Sequence, residues 1–561
     1  MPTLTDRLCD ELALDPTSRA AVDGRVAGGT AVAQALLDVG DDEAVAHAFA
    51  TVLGLRLAST PLELIPEPAW LSRVPLRVWA AARALPLKGG DGADNPEVMA
   101  VAIADPLDSA ALDAVRVASG GVLPEVVVAP RRLLLVALRE HLGVGADTVQ
   151  SLVEGKGEEA RVEVDLADAA EDASIIRLVN QVLQEALERR ATDVHFEPFE
   201  GRYAVRYRVD GVLVEAKLPA EVRRLQAAIV SRLKILASLD IAEKRLPQDG
   251  RIKLRLGGRE VDVRVSIIPM LHGEAVVLRL LDRSAALVGL PGTGMGGRDL
   301  TMFQHALDLP HGIVLVTGPT GSGKTTSLYA GLSRINTPDL KIVTIEDPVE
   351  YQLDGINQIQ VDGKTGLTFA KGLRAILRHD PDVVLIGEIR DRETAEIAVQ
   401  ASLTGHLVLS TLHTNDAPGA ITRLVDMGIE PYLVASTIEL VVAQRLVRLL
   451  CTHCKRELTD AERVDALAVL PGHNGSLYGP VGCRECNGTG YSGRSGIFES
   501  MAMSPTLRHA AGENTSSQAL REVADGEGLV SLRDDGLRLA REGKTSVIEV
   551  LRNTHSGTLG R

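Results

Sequence analysis

The chain has 561 residues, of which 45% are hydrophobic and 24% charged, with a formal net charge of −15. That length exceeds what a single hydrophobic core fills, so several domains are expected, in ordinary globular proportions. The acidic balance and only 3% aromatic residues argue against a main surface built to bind or thread nucleic acid, although a local basic channel stays open.

No run of eighteen uncharged apolar residues occurs, so no membrane-spanning helix is expected. The opening Met-Pro-Thr-Leu-Thr-Asp-Arg lacks the apolar stretch of a signal peptide. A cytoplasmic protein that meets a membrane only through partners is the expectation.

Residues 1–145 are rich in Ala, Leu and Val. Leu36, Leu37, Val45, Phe49 and Leu53 indicate short helices, and residues 98–104 and 122–129 read as strands. This is a small α/β module without a catalytic constellation, best read as a docking or assembly domain. Residues 146–173 are acidic and loose and read as a linker.

A helix is expected from about Ser174 to Arg190, with Ile175, Val179, Val182, Ala186 and Leu187 on one apolar face. Tyr203, Val205, Tyr207 and Val209 alternate with arginines before Asp210-Gly211, a hairpin signal. A helix around 220–239 precedes a second hairpin, with arms 251–256 and 260–267, and a strand over 275–281. Residues 174–284 are thus a compact antiparallel sheet with helices. Five glycines between 285 and 299 predict a flexible hinge.

From 300 onward strands and helices alternate, which predicts a mainly parallel sheet covered on both faces. Strands are expected at 313–317, 341–346, 383–387 and 407–412, each ending near a polar residue. After the first comes Gly318-Pro319-Thr320-Gly321-Ser322-Gly323-Lys324-Thr325, a complete phosphate loop, with Thr326 following in the helix. Its backbone N–H groups and the next helix's N-terminus would cradle phosphate oxygens. Lys324 would reach the β- and γ-phosphates and Thr325 would hold Mg²⁺. The chain is therefore expected to bind a nucleoside triphosphate.

Val383-Val384-Leu385-Ile386-Gly387-Glu388 is an apolar strand ending in a carboxylate, where phosphate-loop enzymes place one on Mg²⁺. Glu346, Asp347 and Glu350 end the second strand, a cluster suited to water activation or metal positioning. His413 ends the fourth strand within Ser410 to Asp416. It is either structural or a reporter of the γ-phosphate, and it is carried here as a catalytic candidate.

Cys451-x-x-Cys454 and Cys483-x-x-Cys486 are separated by twenty-eight residues. Four thiolates in two close pairs suit a closed, structural Zn²⁺ site, with a looped-out insert between the pairs. Disulfides fit a cytoplasmic chain less well, and a redox pair is the other reading. Cys9 stands apart as an ordinary thiol.

Together the phosphate loop, Thr344 to Glu350, Asp382 to Asp391 and Ala401 to Asp416 resemble the secretion-type ATPases of type II secretion and type IV pilus assembly. The resemblance runs from about Asp172 to Gly496. It implies a RecA-like ATPase domain at 300–447 and a PAS-like α+β domain at 174–284, with a tetracysteine zinc element at 448–496 and a C-terminal helical region at 497–561. It assigns Arg264 and Arg279 of the PAS-like domain to the γ-phosphate, Glu350 to water activation and Glu388 to Mg²⁺. It further implies a homo-hexamer working with an inner-membrane platform protein and a membrane-anchored docking protein. The work would be assembly of a pilin-like filament for type II secretion, acting on the filament indirectly and on no nucleic acid directly. Type IV pilus extension and a DNA-uptake or DNA-translocation motor are the alternatives. Arg25-Val26-Ala27-Gly28 and Leu36-Leu37 form only a fragment of the repeated pattern by which some relatives bind a cyclic dinucleotide, so no such ligand is predicted.

Overall fold

The computed structural model describes residues 2–87, 99–142, 173–256, 259–282, 288–363, 365–513 and 516–554. The chain divides into two compact units, Met1–Asp282 and Arg283–Arg561.

In the first unit, helices Leu4–Glu11, Pro16–Ala27, Val32–Leu37 and Asp42–Leu53 precede a small sheet of β1 (Arg56–Leu57), β2 (Ala84–Leu87), β3 (Ala100–Ile103) and β4 (Glu125–Val128). Its order is β1-β4-β3-β2, with β2 antiparallel to β3 and the other pairs parallel. Both expected strands form, as β3 and β4. Cys9 is buried here, and burial pushes its thiol up. The expected linker falls almost wholly outside the described residues.

The rest of the first unit is a six-stranded antiparallel sheet in the order β7-β6-β5-β10-β9-β8. Its strands are β5 (Ala191–Phe199), β6 (Arg202–Val209), β7 (Val212–Glu215), β8 (Gln248–Leu256), β9 (Arg259–Met270) and β10 (Gly273–Asp282). Helices Ala173–Glu188 and Gln226–Leu236 cover one face. Ile175, Val179, Val182 and Ala186 are buried there with Val194, Val263, Val265 and Leu278, as helical and strand periodicity require. This is the expected α+β arrangement. The central strand β5 was not anticipated, because Thr192 to Pro198 mixes charged and apolar residues instead of forming an apolar run.

The second unit is a seven-stranded sheet ordered β13-β12-β14-β15-β11-β16-β19. β11 (Gly312–Thr317), β12 (Ile342–Glu346), β13 (Asn357–Gln360), β14 (Val383–Ile386), β15 (Leu407–Leu412) and β16 (Ile438–Leu450) are parallel, and β19 (Tyr491–Ala502) runs antiparallel to β16. Helices cover both faces, and β11, β12, β14 and β15 are buried throughout, as parallel strands between two helix layers must be. This is a RecA-like core. The cysteines lie on an excursion between β16 and β19. That excursion carries the short pair β17 (Arg456–Glu457) and β18 (Tyr478–Gly479) and the helix Asp460–Val469, the looped-out insert the spacing implied. Helices Pro505–Gly512, Ser517–Gly526, Leu532–Arg541 and Val547–Thr554 complete the unit.

The glycine-rich stretch differs from a free hinge over the part that is described. Residues 283–287 lie outside the described residues, but Leu290 and Met295 are buried in the core with Phe303, and the helix Gly297–Leu307 has already begun. Apolar anchors between the glycines outweigh their flexibility.

Candidate active site

The phosphate loop joins β11 to the helix Lys324–Ile335. Gly318 has φ +148°, and a Cβ there would lie 2.4 Å from the Gln444 carbonyl oxygen of β16, so only glycine fits. Lys324 is buried, and its Nζ donates to the loop carbonyls of Gly318 at 2.9 Å and Pro319 at 3.1 Å. Burial lowers its pKa, with the Glu388 charge opposing. The Ser322 hydroxyl is buried without a hydrogen-bond partner. A lysine folded onto its own loop and an orphaned hydroxyl beside it fit a triphosphate that would take both over. Thr325 stands half-buried in the first helical turn and Thr326 is exposed.

Behind the loop, Ser327 Oγ donates to the buried Gln444 Oε1 at 2.9 Å. Thr317 Oγ1 lies 2.6 Å from Thr414 Oγ1 and accepts the Thr414 N–H at 2.9 Å. These contacts lock the loop to β16 and to the segment after β15. Gln444 and Thr414 were not singled out from the sequence, because their role depends on strand order.

Glu388 follows β14, which is separated from β11 and its phosphate loop by β15, and its charge acts on Lys324. Its Oε1 pairs with Arg390 Nη2 and its Oε2 lies 3.2 Å from His413 Nε2. The carboxylate is largely buried, whereas the His413 side chain is about half exposed. Thr411 Oγ1 donates to the Gly387 carbonyl at 2.7 Å and Ser410 Oγ to that of Ile386 at 2.8 Å, which holds the end of β14 against β15. The structure thus brings His413 and Glu388 together. Arg390, the fourth residue after β14, is a partner that the spacing did not reveal.

The acidic cluster after β12 is divided. Glu346 is buried, and its carboxylate accepts from the Tyr329 hydroxyl, from Thr344 Oγ1 at 2.5 Å and from Gln358 Nε2 at 3.2 Å. Burial and the Glu346 charge push the Tyr329 hydroxyl up. Glu346 is an interior member of the acidic cluster, holding the end of β12 to Tyr329, Thr344 and Gln358. Three donors already satisfy it, which is how a buried charge is tolerated. Asp347 is exposed and Glu350 half-buried. A backbone hydrogen bond from Glu350 reaches the Tyr329 hydroxyl.

Arg264 and Arg279 stand opposite one another on β9 and β10, on the sheet face away from the helices. Arg279 Nε donates to Asp193 Oδ1 of β5 at 3.1 Å. Alternation with the buried Val263 and Val265 sends Arg264 to this open face, as expected.

The four cysteine sulfurs lie within 4.8 Å of one another. Cys451–Cys483 and Cys454–Cys486 are 3.8 Å apart and Cys483–Cys486 3.7 Å. Sulfurs at ~2.3 Å from a tetrahedral Zn²⁺ lie ~3.8 Å from each other, whereas a disulfide needs ~2.05 Å. The donor set therefore fits Zn²⁺. Burial opposes ionisation of Cys486, but N–H donors from Cys483 and Gly490 draw its thiol down to about 6.

Among the described residues no helix is long and apolar enough to cross a membrane. A family model described as Type II/IV secretion system protein matches residues 168–552, and an MshEN domain model matches residues 53–147. The chain is 56% identical over 391 residues to the Type II secretion system protein E of Pseudomonas aeruginosa, covering 70% of this chain and 77% of that one. It is 46% identical over 469 residues to the Type IV pilus assembly ATPase PilB of Myxococcus xanthus, covering 81% and 82%. The solved Yersinia pseudotuberculosis ATPase DotB shares its fold, with 22% identity and a TM-score of 0.50 over 66% of this chain and 92% of that one. The chain belongs to the type II/IV secretion system protein family.

Proposed function

We infer that the chain is an ATPase that hydrolyses ATP to ADP and phosphate and powers assembly of a pilin-like filament for type II secretion. The observation that carries this reading is Lys324 and Glu388 beyond the C-terminal ends of β11 and β14, the two parallel strands that flank β15, close enough for the Glu388 charge to act on Lys324, at the sheet edge where open α/β sheets bind ligands. Gly318 to Thr326 bind the phosphates, and Thr325 and Glu388 are the residues that would hold Mg²⁺, which would supply screening of the charge on the transferred phosphoryl group. Glu350 takes the proton of the attacking water. His413 fixes one oxygen of Glu388, and Arg264 and Arg279 stabilise the γ-phosphate charge. Zn²⁺ at Cys451, Cys454, Cys483 and Cys486 serves structure.

The working form is a homo-hexamer in the cytoplasm, held at the inner membrane by a platform protein and a membrane-anchored docking protein. The higher identity to a type II secretion protein than to a pilus ATPase favours export over pilus extension. The test is Mg²⁺-dependent phosphate release by the full chain, with Lys324→Ala as control, followed by deletion of the gene. Loss of exoprotein export supports the reading. Intact export with lost pilus extension, or with lost DNA uptake, selects an alternative.

A further inference from the structure

The three residues after His413 are each tied to a different element of the second unit. Thr414 meets Thr317 at the end of β11 through its hydroxyl and its N–H. Asn415 Oδ1 accepts from Arg445 Nη2 of β16 at 3.2 Å, and Arg445 Nη1 donates to the Asn553 carbonyl at 2.6 Å. Asp416 Oδ2 pairs with Arg521 Nη2 at 3.2 Å, while its Oδ1 accepts the Gly419 N–H at 2.9 Å and caps the helix Ala417–Asp426.

Arg521 lies on the helix Ser517–Gly526, far along the chain, and holds a second carboxylate. Its Nη2 donates to Glu499 Oε1 at 2.9 Å, and its Nη1 lies 3.4 Å from Glu499 Oε2. Glu499 of β19 is buried, and its Oε1 also accepts the Ala417 N–H at 2.9 Å. One guanidinium thus spans two carboxylates, which a planar fork can do and a compact ammonium cannot. Leu520 and Ala524 of the same helix are buried in one core with Ala420 and Ile421, which fixes Arg521 from behind. Shifting the turn 414–416 would strain contacts to a buried charge, and breaking such contacts is costly.

His413 depends on this turn. Its side chain is about half exposed, so packing holds it loosely, and its ring meets Glu388 Oε2 at 3.2 Å. We propose that Arg521 is a positioning residue for ATP hydrolysis: through Asp416 and Glu499 it sets the turn after β15, and with it the approach of His413 to Glu388. This rests on the reading of Glu388 as the metal-holding carboxylate and His413 as its partner.

The test breaks the link from both ends. Arg521→Lys leaves a charge for the buried Glu499 but no fork to span to Asp416. Asp416→Asn keeps the oxygen that caps the Gly419 N–H. The full chain is loaded with a non-hydrolysable ATP analogue, and Mn²⁺ binding, in place of Mg²⁺, is measured from the EPR signal of the free ion. Each variant should weaken Mn²⁺ several-fold, raise the Mg²⁺ needed for half-maximal phosphate release alike, and leave affinity for the analogue within about two-fold. In a His413→Ala background each should add less than about two-fold, because its effect runs through His413. A merely loosened fold would weaken Mn²⁺ equally in both backgrounds. That result, or unchanged Mn²⁺ binding in both variants, overturns this proposal, while weaker Mn²⁺ binding by His413→Ala alone leaves the Glu388–His413 reading standing. If His413→Ala alone leaves Mn²⁺ binding unchanged, that reading fails and this proposal with it.

Discussion

The Tyr329 hydroxyl donates a hydrogen bond to the buried carboxylate of Glu346, linking the helix that follows the phosphate loop to the end of β12. The Tyr329 ring also packs edge-on against Tyr351, with centroids 4.7 Å apart. The loop that carries Glu350 is thus held by the helix that carries Lys324. Tyr329→Phe keeps the ring and removes one donor from a buried charge. It should cost about 1–3 kcal/mol of stability and slow turnover, because the Glu350 loop loses its tether. Urea unfolding and steady-state phosphate release measure the two effects.

Lys324→Ala should reduce turnover by about 10²–10³-fold, the range for deleting a preorganised charge at a transferring phosphoryl group. The unfolding midpoint should change little, since Lys324 spends its hydrogen bonds on its own loop. Phosphate release beside the unfolding curve separates lost chemistry from lost fold.

His413→Ala removes the imidazole that faces Glu388 Oε2 and leaves the pairing of Arg390 with Oε1. Glu388 then has one partner fewer, and Mg²⁺ should be held less precisely. An increase of several-fold in the Mg²⁺ needed for half-maximal turnover is expected, with a smaller effect on ATP affinity. A Mg²⁺ titration of phosphate release checks this.

Arg448 of β16 pairs with Glu549 of the last described helix at 2.5 Å, and its backbone N–H also donates to that carboxylate at 3.2 Å. Burial opposes ionisation, but Arg448 wins and holds the Glu549 pKa below its usual 4.5. A depressed carboxylate stabilises the fold above its unfolded pKa, and this contribution disappears as pH falls through the lowered folded value. Wild type should therefore exceed Glu549→Gln by about 1–3 kcal/mol near neutral pH, and the gap should shrink as the medium is acidified below about 4.5. Urea midpoints of both proteins across that range give the comparison.

Removing Zn²⁺ should loosen the excursion between β16 and β19. About one Zn²⁺ per chain is expected by elemental analysis, lost in Cys483→Ser, with early proteolysis in the 451–490 region. Wild-type protein without metal and with equal protease resistance would contradict this.

Much of the site could be read from local pattern. The loop from Gly318 to Thr325, the strand ending in Glu388 and the two cysteine pairs depend on residues close in sequence, so spacing alone conveyed their chemistry. Contacts that strand order creates stayed hidden. Gln444 lies more than a hundred residues beyond Ser327, yet β11 and β16 are neighbours. Glu346 reads as one more acid in a cluster until Tyr329 is seen above it. β5 escaped notice because its open face carries Asp193, His195 and Glu197, which interrupt the apolar run. The glycines from Gly289 onward indicate flexibility only if Leu290 and Met295 are overlooked.

The central claim is that ATP cleavage needs both the phosphate loop and the arginines of the antiparallel sheet. Its most direct test is the steady-state rate of phosphate release by the full chain with saturating Mg²⁺ and ATP, compared among wild type, Arg264→Gln and Arg279→Gln. The account predicts a fall of about 10²–10³-fold in each variant. Turnover within about two-fold of wild type in both would contradict it.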